Sequence, residues 1–290
     1  MSARGWRERL AVIGDECGFT WQDQVATVQA LEMRSIELRH VGGRSLGETG
    51  QDEVDALGRA LVDAGVGVVA LDSPVGAGRI TDTTLAEDLA TAERWLELAG
   101  RLGAPSVRVM SYGQGDLEPE AWHAETVRRL LALRELAARH GRRFLHENCV
   151  GWGGRDAESA RRLMAEVGDE HLAFLMDTGN GVWYGYDSVA MTEAVLPYVR
   201  HVHIKDAHPR PDGAEPCLPG LGSGRVADSL ALVLDAHPDM TLSLEPHLLV
   251  QPHLGITCRD AGALRHSVAA CVRSLADLLD RAEGAEEAAR

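Results

Sequence analysis

At 290 residues, with 45% hydrophobic and 25% charged residues, the chain has the composition of a folded globular protein with a sizeable core, which excludes wholesale disorder. Its 29 Lys and Arg against 44 Asp and Glu give a formal net charge of −15, which argues against nucleic acid or anionic lipid as partner and for a small molecule. Five scattered cysteines without a C-x-x-C pair suggest reduced thiols, no apolar run reaches the roughly 20 residues of a membrane span, and no signal-peptide stretch opens the chain, so a cytoplasmic protein is expected.

Short apolar runs alternate with helical patterns from end to end, as in repeated βα units. The candidate strands are 10–14, 35–39, 66–71, 107–110, 143–147, 172–177, 199–204 and 241–245, which makes eight. Most are nearly continuous in apolarity, as strands of a parallel sheet covered by helices tend to be. Between the third and fourth, Leu85, Leu89, Ala92, Leu96, Ala99 and Leu102 form one helical stripe that Gly103 and Pro105 terminate. Leu264, Val268, Cys271, Val272, Leu275, Leu278 and Leu279 form another, closing an outer ring of helices. Gly and Pro cluster at 74–78, 113–119, 151–154 and 209–224, each just beyond a strand's carboxyl end. The expected architecture is α/β, a single (β/α)8 TIM barrel over residues 1–284 with its active site at the carboxyl ends of the strands and a tail at 285–290. An open doubly wound sheet is disfavoured because GDECGF, and no G-x-G-x-x-G, follows the first strand.

In such a barrel the residue closing each strand is the one to inspect for chemistry. Strand five ends in Glu147, strand six in Asp177, strand seven carries His203 near its end and strand eight ends in Glu245. A single strand-terminal carboxylate usually caps a helix or braces a loop. Four consecutive strands bringing three carboxylates and an imidazole to one rim are better explained by a divalent cation, which removes the repulsion among the carboxylates. Three oxygens and one nitrogen without thiolate suit Mn, Mg, Co or Zn, with Mn preferred. Such an ion can accept a hydroxyl and a carbonyl oxygen of a sugar, acidifying the neighbouring C–H and stabilising the enediolate left when a base removes the proton.

SIELR in strand two, HENCVGWGG around strand five, MDTGN at strand six, HVHIKDAH at strand seven and LSLEPH at strand eight together resemble the sugar phosphate isomerase/epimerase superfamily, whose xylose isomerase-like barrel is related in fold to endonuclease IV. The resemblance covers most of the chain. It implies that Glu147, Asp177, His203 and Glu245 are ligands of one divalent metal ion, with Glu147 and Glu245 doubling as catalytic acid/base residues. The implied activity is isomerisation or epimerisation of a small sugar, sugar phosphate or related polyhydroxy carbonyl compound. Free-ketose epimerases of the superfamily usually carry a substrate-binding His three residues after the Asp of strand six; here Asn180 stands there, which speaks against 3-epimerisation of free ketoses. The extra histidines of the endonuclease relatives are also missing, so with the acidic charge an AP endonuclease-like nuclease is disfavoured.

Further rim candidates for binding a small polyhydroxylated substrate are Arg39, Lys205, Asn180, Trp152, Trp183 and His247. Glu37 is expected to point into the barrel and pair with Arg39, Asp206 to be structural, and His146 to face away from the site as a satisfied structural histidine. A metal-dependent dehydratase of a keto-inositol or dehydroshikimate type is the alternative, because it begins with the same proton abstraction. A non-catalytic sugar-binding protein fits less well, since binding alone does not require both Glu147 and Glu245. A homo-oligomer is compatible with the sequence.

Overall fold

A computed structural model describes residues 6–289, with side chains to Arg281. Eight strands are hydrogen-bonded in parallel: β1 (Leu10–Val12), β2 (Ser35–Leu38), β3 (Gly67–Asp72), β4 (Ser106–Ser111), β5 (Arg143–Gly151), β6 (Leu172–Asp177), β7 (Val199–Ile204) and β8 (Leu242–Leu244). They run β1-β8-β7-β6-β5-β4-β3-β2 around the sheet, and a lone parallel bridge between Ile13 and Glu37 joins the first and last of that order. The expected (β/α)8 barrel is the observed fold. None of the described helices is long and apolar enough to cross a membrane.

Helices α1 (Trp21–Ala30), α2 (Gln51–Ala64), α3 (Leu85–Leu102), α4 (Pro119–Arg139), α5 (Ala157–Val167), α6 (Ser188–Val195), α7 (Val226–Ala236) and α8 (Ala261–Ala289) surround the strands. Local chemistry sets their ends. Thr84 and Glu87 form a reciprocal capping box at the start of α3, and Gly103 ends it at φ 71°, a left-handed conformation that a side chain would oppose. The expected tail at 285–290 falls on the end of α8 and Arg290, where side chains lie outside the described residues.

The core has two parts. Outward strand residues such as Ile36, Val107, Phe144, Phe174, Val202 and Leu244 pack against the helices in one continuous apolar layer. Ala70, Leu145, Ala173 and Leu175 form a small separate cluster. They share their strand faces with Asp72, Glu147 and Asp177, two residues on, so this cluster lies on the inward side. The continuous apolarity expected of the strands therefore holds for the outer face alone. Inside, buried polar groups predominate toward the carboxyl ends: Glu37, Arg39, Asp72, Arg108, Glu147, Asp177, His201, His203, Lys205, Ser243 and Glu245 are all buried.

Candidate active site

Period-two alternation aims the inward residues of neighbouring strands at one another. Glu147, Asp177 and His203 lie on adjacent strands β5, β6 and β7, and Glu245 follows β8 directly. Each is buried, and one ligand atom from each of the four lies within 4.8 Å of the other three. Local contacts orient them. Asp177 Oδ1 accepts hydrogen bonds from the backbone N–H groups of Gly179 and Asn180, both at 2.8 Å, leaving Oδ2 for the cluster. Asn148 clamps the backbone of Asp177 through both ends of its amide, at 2.6 and 2.9 Å. Glu147 Oε1 accepts from Asn180 Nδ2 at 3.0 Å, and His203 Nε2 is held by Glu37 Oε1 at 2.9 Å, which turns Nδ1 toward Glu245 Oε2 at 3.3 Å.

These residues fit a divalent cation. Glu147 Oε2, Asp177 Oδ2 and His203 Nδ1 are buried atoms without a well-formed hydrogen bond, although Arg108 Nη1 lies 3.3 Å from the first and Lys205 Nζ 2.9 Å from the second. Three oxygen donors and an imidazole with its second nitrogen anchored to a carboxylate make a donor set suited to hard or borderline divalent ions. The electrostatics reflect crowding. Burial raises the Asp177 carboxyl to about 6, with Glu245 and Glu147 adding to the rise and Lys205 opposing it. Burial works against the imidazolium of His203, but Glu37 and Glu245 outweigh it and hold its pKa well above the usual range. Lys205 likewise stays protonated despite burial, because Asp177, Glu245 and Glu147 surround it.

A cavity of about 400 Å³ opens above the cluster, with Glu147 and Glu245 in its lining. Arg39, Lys205, Asn180, Trp183 and His247 also line it, as sequence-based candidates for substrate contact. Lys205 Nζ lies 5.3 Å from the centre of the Trp183 ring and contacts Glu245 Oε2 at 3.2 Å. Arg39 bridges Asp15 (3.1 Å), Glu16 (3.3 Å) and Glu245 (2.5 Å), and His247 Nδ1 pairs with Glu16 at 2.8 Å.

Three expectations are corrected. Trp152 does not line the cavity: β5 continues past Glu147 to Gly151, whose φ of 96° turns the chain outward. Trp152 then packs edge-on against Trp122 with ring centres 5.2 Å apart, and Arg155 lies over its ring at 4.0 Å. Glu37 points inward but pairs with His201 (2.8 Å) and His203 (2.9 Å), while Arg39, two residues on, is engaged by carboxylates of the next layer up. His146 faces outward as expected, yet neither ring nitrogen has a hydrogen-bond partner. Burial lowers its pKa to about 3, so it is a neutral core side chain.

Asp206 is structural as expected. Its carboxylate accepts from the N–H groups of Ala207, Gly220, Gly222 and Gly224, each at 2.9 Å. Several participants escaped sequence reasoning. Arg108 on β4 joins Glu147 to Asp72 at 3.3 and 3.5 Å, and burial with Glu37 nearby drives the Asp72 carboxyl well up, against the pull of Arg108. His40, Cys149 and His253 complete part of the cavity wall, beside Tyr184, an aromatic that the sequence already places on this rim. Inward alternation was the available signal for Arg108, two residues before Met110, and for Cys149, two residues after Glu147 on β5; His40 and His253 sit in segments too short to show a period.

Comparison with known proteins places this geometry. A segment is 34% identical over 74 residues to an inosose dehydratase of Geobacillus thermodenitrificans, 26% of this chain and 25% of that protein. Another match, 29% identical over 178 residues, is to a 2-epi-5-epi-valiolone 7-phosphate 2-epimerase of an Actinoplanes species, 59% of this chain and 62% of that protein. The chain thus spans a quarter to three fifths of these curated relatives. Among solved structures, the IOLI protein with a bound zinc atom superposes with a TM-score of 0.74 at 14% identity, covering 94% of this chain and 98% of that one. The sequence profile of the xylose isomerase-like TIM barrel matches residues 25–247, more than half of the chain, and with the eight-stranded barrel it means that this protein belongs to the xylose isomerase-like TIM barrel family.

Proposed function

We propose that the protein is a divalent-metal-dependent isomerase or epimerase that moves a proton on the carbon beside the carbonyl of a small polyhydroxylated compound. Glu147, Asp177, His203 and Glu245 are the ligands, and Glu147 and Glu245 the acid/base pair. One observation carries the reading: two carboxylates from strand ends three positions apart around the barrel belong to the same buried ligand cluster and both line the cavity. A divalent ion held there, Mn by preference and Mg, Co or Zn as further fits, would supply the positive charge that makes the C–H acidic.

The remaining chemistry belongs to the chain. One Glu takes the proton from its face of the substrate, and return from the opposite Glu inverts the carbon, whereas return from the same side to the adjacent carbon isomerises it. Lys205 and Arg39 stay charged and orient substrate hydroxyls, with Asn180, His247 and Trp183 shaping the rest of the cavity. The inosose dehydratase matches favour a second reading, a lyase, in which the same proton removal is followed by breaking of the β C–O bond and departure of the hydroxyl, protonated, as water. Incubating Mn-loaded protein with polyhydroxy ketones in deuterated water tests both. Solvent deuterium in a stereoisomer or positional isomer supports the first, and a product lighter by one water the second. Absence of both exchange and dehydration across the panel would reject proton-transfer chemistry.

A further inference from the structure

The wall of the cavity divides into two halves. Period-two alternation places a second inward layer above the first, stepping from Glu37 to Arg39 at β2, from Arg108 to Met110 at β4, from Glu147 to Cys149 at β5 and from His203 to Lys205 at β7. On the side of β7, β8 and β2 this upper layer is charged or ionisable, and Lys205, His247, Arg39 and His40 line it. On the side of β3 to β6 it is apolar, with Ala77, Met110 and Val150 in the lining. The Trp183 ring stands at the boundary, its centre 5.3 Å from Lys205 Nζ.

The apolar half keeps its polar atoms to itself. The Cys149 thiol and the Tyr184 hydroxyl meet each other at 3.2 Å. The backbone is paired as well: Met110 N–H donates to Val75 O and Tyr112 N–H to Gly76 O, both at 2.9 Å. These bonds press the segment after β3 onto the end of β4, so closely that a Cβ on Gly76, which sits at φ 79°, would collide with the Met110 carbonyl. Ala77 is thereby held at the cavity mouth beside Met110. A hydroxyl directed at this half gives up water and gains no partner, whereas a methyl or methylene gains apolar contact.

We infer that the substrate is two-sided: its hydroxyl and carbonyl oxygens face the charged half, and a methyl or methylene carbon lies against Ala77, Met110 and Val150. Its class is a polyhydroxy carbonyl compound deoxygenated at one carbon. The inference rests on the proton-transfer reading above, which seats the reacting carbons over the four-ligand cluster. It names the feature by which the cavity selects among compounds that would all chelate the same ion.

The test pair is 2,3,4-trihydroxybutanohydroxamate and 2,3-dihydroxybutanohydroxamate of matched configuration, in which a methyl replaces the terminal hydroxymethyl. Both chelate a divalent ion through adjacent oxygens without reacting, so binding is read apart from turnover. Every stereoisomer of each is titrated calorimetrically into full-length, Mn-loaded protein. In the tightest-binding pair the methyl compound is expected to bind about 10-fold more tightly, the scale set by a hydroxyl buried without a partner. Met110→Gln offers that side a hydrogen-bonding amide and should erase most of the preference. Ala77→Ser, at an exposed loop position, should narrow it too and carries the test if the Met110 variant does not fold. Equal binding, preference for the hydroxymethyl compound, or a methyl preference that the folded variants leave untouched overturns the inference. Binding of neither compound overturns it as well. Deuterium exchange with polyhydroxy ketones is read separately: methyl preference without exchange supports the inference and rejects proton transfer, and exchange without the preference does the reverse.

Discussion

Glu37 Oε1 holds His203 Nε2 at 2.9 Å, and through that bond fixes which imidazole nitrogen faces Glu147, Asp177 and Glu245. The other oxygen of the same carboxylate takes His201 Nε2 at 2.8 Å, and Ser243 Oγ approaches that nitrogen at 3.1 Å. Burial opposes the charge on Glu37, but the two histidines outweigh it and keep its pKa well below the usual carboxylate range. Glu37→Gln is expected to weaken Mn binding by about 10- to 100-fold, the usual effect of losing an outer-shell carboxylate behind a histidine ligand. Calorimetric titration of metal into the apo-protein measures this, and unchanged affinity would reject the role.

The bases separate binding from chemistry. Glu147→Gln and Glu245→Gln each keep a neutral oxygen in the cluster while removing a proton acceptor. Each variant should bind metal more weakly and lose turnover by roughly 100-fold or more. Single-face deuterium exchange is expected to survive in each epimerase variant on the side of the remaining Glu. Near-normal turnover in both would sink the two-base mechanism.

Lys205 and Arg39 should behave differently from the ligands. Lys205 Nζ already touches Asp177 and Glu245 at 2.9 and 3.2 Å, so Lys205→Met leaves the carboxylate cluster without that cation and metal content should be retained. Turnover should fall because the ammonium no longer orients substrate. Arg39→Met should likewise retain metal, with a loss of stability because Asp15 and Glu16 lose their buried partner. Elemental analysis beside steady-state kinetics distinguishes these outcomes; full activity in both variants returns the two residues to a purely structural role.

His146 makes stability depend on pH. Its folded pKa is lowered to about 3 by burial from a reference value of 6.5. Below 6.5 the unfolded chain takes up a proton that the folded chain refuses until about pH 3, so this contribution is complete above 6.5 and is lost as pH falls. Between pH 7 and pH 4.5 the loss from this group amounts to about 2.5 kcal/mol. His146→Leu should flatten the stability profile over that interval relative to the unmodified protein. Urea unfolding at the two pH values checks it, and parallel profiles would contradict it.

The barrel strands were legible because their outward residues are apolar and packed under helices. Phe144, Phe174, Val202 and Leu244 announce strands whatever stands between them. Strand ends were less so: β5 was expected to stop at Glu147 and runs to Gly151, which is why Trp152 was assigned to the cavity and belongs to the helix-packed layer. The juxtaposition of Glu147, Asp177, His203 and Glu245 follows from strand order and alternation, and both are readable. Pairings inside the barrel are not, because every inward residue has several neighbours across the lumen and the chain records no depth. Glu37 could meet Arg39 along its own strand or the histidines of β7 across the barrel, and depth decided for the latter.

Glu37 also occupies the lone bridge that joins β1 to β2. Its backbone therefore fastens the circular wall at its most thinly stitched place, while its carboxylate anchors the imidazole at the centre. Breathing of that seam and loosening of His203 are consequently one event. Ion capture should draw the seam shut, so that slowed amide exchange at Glu37 reports occupancy of the centre from the rim of the wall.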